Sequence, residues 1–209
     1  MANTFAPFGF RPVSTSNGPI NWRMSVRRVA AGDTTAIYRG DAVVPVTGTP
    51  TGYIKQATAS TVPLAGVFWG CQYLSTSQKR TVWSQYWPGA DATGDVFAYV
   101  VDDPNARFIV QTSGSSFQIT GSLSTFTSSP VGQLAQLNVV GQPGSAVTQQ
   151  SGMYLDTVGA VATYPFQIVD MVVDPPGSNG ADPTSNYNYV IVGFNNEMLR
   201  SNGAVTGIS

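Results

Sequence analysis

The sequence predicts an all-β protein: a β-sandwich or barrel-like, jelly-roll-like body with an extended N-terminal arm. Three observations carry this reading. Runs rich in Val, Thr and aromatic residues recur every ~10 residues, with turn signals between them. No segment sustains an apolar stripe at the roughly 3.6-residue period of a helix. The 209 residues include 22 Gly and 14 Pro, which punctuate strands and interrupt helices.

The chain opens Met-Ala-Asn-Thr-Phe-Ala-Pro-Phe-Gly-Phe-Arg-Pro-Val. Pro7 and Pro12 lack N–H donors and disfavour helix in the residues before them. Phe5, Phe8 and Phe10 each gain roughly 1.5–3 kcal/mol on burial, so this segment is expected to dock, with a neighbouring subunit as the expected host. It has neither the charged region nor the unbroken apolar core of a signal peptide. Residues 14–21 carry turn chemistry and read as a hinge. Partial alternation at Trp22, Met24 and Val26 predicts a strand over 22–30. Gly40-Asp41 reads as a turn before a strand at 42–46, which Pro45 confines to an edge or a bulge. Short strands follow at 53–57 and 62–73, with Gly66 and Gly70 permitting bends or close backbone approach. Residues 79–87 are rich in strand formers. Residues 96–101 read as a buried strand that forms a hairpin with 107–111 across the turn at 102–105. Residues 112–130 are rich in Ser, Thr and Gly and hold a weak boundary. Residues 131–140 fit a strand or one helical turn equally, 141–151 a loop, and 154–157 a short strand. Strands at 165–173 and 187–194 flank a Pro/Gly/Asn loop. The resulting division is an arm at 1–35, a barrel-like domain at 36–111, a second β region at 112–200 packed on the first, and a flexible tail at 201–209.

Composition narrows the function. Charged residues are 10% of the chain, against roughly 25% in an average soluble domain, which suits a surface covered by partners or solvated by hydroxyls and amides. The net charge is −1, so bulk electrostatics do not point to nucleic acid. The charge is uneven: residues 1–39 hold Arg11, Arg23, Arg27, Arg28 and Arg39 against Asp33, whereas the remainder holds five bases and ten acids. A basic arm on an acidic body suits contact with an acidic neighbour. The chain has no histidine, which removes Ser-His-Asp and Cys-His chemistry within one chain. The single cysteine, Cys71, lies in an apolar run and reads as a buried, inert thiol. No apolar stretch reaches the ~18 residues of a membrane span. Asp102 and Asp103 precede Pro104 and read as turn residues. Asp91 and Asp95 resemble a fragment of a calcium loop without its spacing or closing Glu, so neither a metal nor a cofactor is expected. Arg39-Gly40-Asp41 reads as an ordinary turn. Trp69, Tyr73, Trp83, Tyr86 and Trp87 are either core or a sugar-stacking platform.

The opening thirteen residues closely resemble the start of a group of tailed-bacteriophage virion structural proteins. Three later stretches are similar to the same group: 38–44 through 64–70, 100–111, and 165–169 leading to 189–195. The resemblance implies a capsid decoration, or cement, protein with a small barrel-like domain of the β-tulip type. It implies binding to the major capsid protein on the outer face of an icosahedral shell made in the bacterial cytoplasm, self-association as a homotrimer, and neither nucleic acid nor membrane as a direct partner. Phe5, Pro7, Phe8, Phe10, Arg11, Arg23, Arg27 and Arg28 are the expected contacts to shell or sister subunit. Deleting 1–13 is expected to leave the body folded and weaken assembly. A receptor- or carbohydrate-binding tail module is the alternative, and a hydrolase using Asp pairs a third reading.

Overall fold

The computed structural model describes residues 3–16, 18, 22–47, 52–58, 63–114, 117–118, 120–122, 125–128, 130–138, 144–172 and 185–198. Within them the protein is all-β and has no α-helix. The strands are β1 (Arg11–Thr15), β2 (Met24–Val29), β3 (Ala42–Pro45), β4 (Ile54–Gln56), β5 (Gly66–Leu74), β6 (Thr81–Ser84) and β7 (Val96–Val101). They continue with β8 (Ala106–Gln111), β9 (Thr120–Ser122), β10 (Thr125–Ser128), β11 (Leu134–Asn138), β12 (Tyr154–Gly159), β13 (Phe166–Met171) and β14 (Tyr189–Phe194).

Two antiparallel sheets of six strands pack as a sandwich-like body, with β9 and β10 forming a small ribbon apart. The first sheet runs β2-β7-β5-β3-β4, with β6 added on β5. A parallel bridge between Arg28 and Tyr53 brings its two ends together, so it curls into a barrel. The barrel interior holds Val29, Ile37, Val43, Phe68, Cys71, Tyr73, Trp87, Val96, Ala98 and Val100. The second sheet runs β1-β8-β14-β13-β11-β12, and a parallel bridge from Thr112 to Leu155 curls it likewise. Its inner face, with Phe108, Val110, Phe166, Ile168, Val190, Val192 and Phe194, shares one core with Ala42, Val44, Val67 and Val101 from the outside of the barrel. Strand alternation explains this division: Val43 and Val100 point into the barrel while Val44 and Val101 point at the second sheet.

Four expectations are corrected. Residues 96–111 do not form a hairpin. The turn at 102–105 exists, but both edges of β7 are taken by β2 and β5, and both edges of β8 by β1 and β14, so neither strand is left to pair with the other. The boundary between sheets therefore falls at 102–105 rather than within 112–130, because β8 joins the strands that follow it. The segment at 1–35 is not detached from the body: β1 pairs with β8 and β2 with β7. β1 is hard to see in the sequence because Pro12 donates nothing and a bulge between Pro12 and Ser14 breaks its alternation.

β3 is an internal strand between β5 and β4 rather than the edge or bulge expected from Pro45, which is accommodated because it lies beyond the part of β3 that pairs with β5. Other details agree. Gly66 has φ +139°, and a Cβ there would sit 2.5 Å from the Val101 carbonyl oxygen, so glycine permits the close approach of β5 and β7. Residues 134–138 resolve as strand β11. The tail at 201–209 and most of the loop between β13 and β14 lie outside the described residues.

Candidate functional site

Residues 3–10 run extended along their own body. The buried Gln111 side chain fixes them as a strand would, accepting from the Ala6 N–H at 2.8 Å and donating to the Thr4 carbonyl at 2.8 Å. Asn3 donates to Asn188 at 2.9 Å. Phe5 lies between Tyr154 and Tyr187, each 5.0 Å away between ring centroids, and Phe8 lies 5.5 Å from Tyr189. Pro7 is half-buried between them. Phe10 is fully buried, stacked on Phe166 at 4.3 Å and edge-on to Phe108. It is therefore a core residue of its own chain and unavailable to a neighbour.

Behind Phe10 three segments meet. Its N–H donates to the Gly40 carbonyl at 2.9 Å, and Ser151 N–H donates to the Arg39 carbonyl at 2.9 Å. Gly9 has φ +73°, and a Cβ there would collide with the Ser151 side chain, so the arm reaches this junction only with glycine. Asp41, fully buried, accepts from Tyr38 N–H and from Gln56 Nε2, both at 2.7 Å and both on Oδ2. The Ser151 hydroxyl approaches its carboxylate without closing a bond of normal geometry to Oδ1. Burial pushes the Asp41 pKa up to about 6, against the opposing influence of Ser151, Tyr38 and Gln56. Arg39-Gly40-Asp41 is thus a turn, buried at Gly40 and Asp41, that locks barrel, arm and the 145–153 segment together.

The surface of this junction carries two arginines. Arg11 lies over the Phe8 ring at 4.3 Å and donates to Gln150 Oε1 at 2.8 Å. Arg39 lies over the Trp69 ring at 3.9 Å and donates to Gln85 Oε1 at 3.1 Å. Burial, and then the charge of Arg11, lower the Arg39 pKa. The remaining expected arginines are paired inside the chain. Arg23 and Arg27 meet Asp102 at 3.3 and 3.0 Å, and Asp102 is fully buried. Arg28 meets Asp95 at 3.3 Å, where Tyr53 also donates at 2.8 Å. Asp102 is therefore an ion-pair hub, whereas Asp103 serves the turn by accepting from Asn105 N–H at 2.9 Å. Asp91 accepts from Ser75 and Ser77, bonds that lower its pKa, and does not converge with Asp95.

The five aromatics of the notional platform separate. Trp87 and Tyr73 are buried in the barrel, edge to face at 5.1 Å. Trp69 lies beneath Arg39, and Tyr86 stacks on Tyr38 at 5.7 Å. Trp83 is 66% exposed and stacks on Tyr99 at 6.0 Å. Cys71 is buried, and burial pushes its pKa to about 12, so it stays a thiol.

Sequence reasoning missed an apolar sheet face. On the outside of the barrel, Val26 is opposite Tyr99, Tyr99 opposite Gly70, Phe97 opposite Gln72, and Gln72 opposite Trp83. One face across β2, β7, β5 and β6 thus presents Met24, Val26, Phe97, Leu74 and Trp83, all of them large, apolar and exposed. The second sheet covers this same face farther along, at Val67 and Val101, and leaves the rest open. The available signal was the unbroken apolar run of 96–101, which reads as buried on both faces but leaves Phe97 42% exposed.

No protein-family model, no curated protein and no solved structure matches the chain.

Proposed function

We propose that the protein is a non-enzymatic structural component of a tailed-phage virion that binds the major capsid protein on the outer surface of the shell and braces it, as a homotrimer. The open face across β2, β7, β5 and β6 carries this reading. Several large apolar side chains exposed on one sheet face, interspersed with Arg28, Gln72 and Thr81, suit an interaction surface, and a chain with 10% charged residues suits a surface covered by partners. Many weak contacts repeated over a symmetric shell then add up through multivalency. The resemblance of the opening residues supplies the particle, and the shape of the face supplies the need for a partner. Light scattering of the purified protein, followed by co-sedimentation with bare expanded capsids, tests the reading. A trimer pelleting at a fixed ratio is the expected result. A protein that stays in the supernatant contradicts it.

A second reading rests on the Trp83–Tyr99 stack, which borders an open cleft with Gln72 and Gln85 close by. Exposed stacked aromatics beside amides suit a sugar ring. Glycan binding that disappears in a folded Trp83→Ala variant would favour a receptor-binding module instead.

A further inference from the structure

The junction of arm and barrel holds a cleft of about 200 Å³ lined by Phe8, Phe10, Arg11, Arg39, Trp69 and Gln150. A second cleft beside it shares Phe8, Arg11 and Gln150 and continues along Pro7 to Ser145 and Thr148. Arg11 and Arg39 both line the first cleft, a groove at the surface of the junction, and Arg11 also borders the second. Among the described residues neither has a carboxylate within ion-pair distance, whereas Arg23, Arg27 and Arg28 all do. Burial first, and then the charge of Arg11, lower the Arg39 pKa. Each is flattened on an aromatic ring and tethered by a glutamine, Gln150 or Gln85, that supplies an oxygen without a charge.

We propose that this groove is a binding site for an extended acidic segment of a partner protein, whose carboxylates pair with Arg11 and Arg39 while an apolar side chain lies against Phe8 and Trp69. Guanidinium forks match carboxylates in two-bond geometry, and stacking on a ring holds each fork ready with little ordering cost. Two guanidinium groups standing beside Phe8 and Trp69 suit a segment that carries both carboxylates and an apolar side chain better than a single small anion. The site is independent of the capsid assignment, because any partner presenting such a segment would fit.

The test is calorimetric titration of the full chain with a blocked hexaglutamate peptide, with a hexalysine peptide and a short oligothymidylate as comparisons. One-to-one binding of hexaglutamate alone is expected, weakening by about tenfold or more in Arg11→Gln and in Arg39→Gln and weakening with added salt, but unchanged in Lys79→Gln. Variants count only where their unfolding midpoint matches the parent. Protection of Arg11 and Arg39 from phenylglyoxal by the peptide in the unmodified sequence gives a readout that needs no variant. Absence of hexaglutamate binding, equal binding by the arginine variants, lack of protection, or tighter binding of oligothymidylate would each overturn the proposal.

Discussion

Asp41 shows how one buried group sets a pH response. Its pKa in the folded chain is about 6, against an ordinary value of 3.8, because burial disfavours the charge. The folded state then holds its proton where the unfolded state has lost it. The associated stability is complete below the unfolded pKa and is lost as pH rises towards 6, by about 3 kcal/mol in total. Asp41→Asn keeps an acceptor for Tyr38 and Gln56 and removes the charge. The variant is expected to match the parent near pH 4 and to exceed it by up to about 3 kcal/mol above pH 6. Parallel unfolding profiles for the two proteins across that range would contradict this. Phe10 is the second decisive residue. Fully buried and stacked on Phe166, it should cost ~3–5 kcal/mol on replacement by Ala, measured by denaturant unfolding. A loss below about 1 kcal/mol would mean that the arm does not seal the core.

At the scale of elements, the difference between reading and structure lies in partners rather than in strands. β2, β3, β4, β7, β8, β13 and β14 fall close to where Val, Thr and aromatic runs place them. What a run cannot state is which edge it uses. The apolar residues of 96–101 serve two faces, and nothing local distinguishes Val100, inside the barrel, from Val101, against the second sheet. The arm was legible as a docking segment, since Phe5, Phe8 and Phe10, interspersed with Pro7 and Pro12, gain from leaving water. Its host was not, because the tyrosines that receive it, Tyr154, Tyr187 and Tyr189, lie more than a hundred residues away. Three of the arginines read as outward contacts are held by Asp102 and Asp95, whereas Arg39, read as part of the basic arm and of an ordinary turn, is half-buried and lines the groove. Removing residues 1–13 would thus take away Phe10 and half of β1 and destabilise the body, contrary to the expectation of an arm that can be deleted freely. Circular dichroism and thermal unfolding of the truncated chain would show it: a retained parental midpoint would restore the detachable arm.

At the scale of the molecule, two curled sheets share a core that covers only part of the barrel's outer face. Sparse charge and the exposed residues Met24, Val26, Phe97, Leu74 and Trp83 are the features that the proposed assembly would cover. The groove at Arg11 and Arg39 and this strip are distinct surfaces, one electrostatic and one apolar, so a partner can be oriented by the first and held by the second. The strip makes the central claim, and one comparison tests it most directly: co-sedimentation with bare expanded capsids of the parent protein and of a Phe97→Asp variant, whose side chain is on the surface and whose fold is verified by its unfolding midpoint. The parent should pellet at a fixed ratio to shell protein and the variant should remain in the supernatant. Equal pelleting of both, or of neither, would contradict the assignment of this face to the capsid.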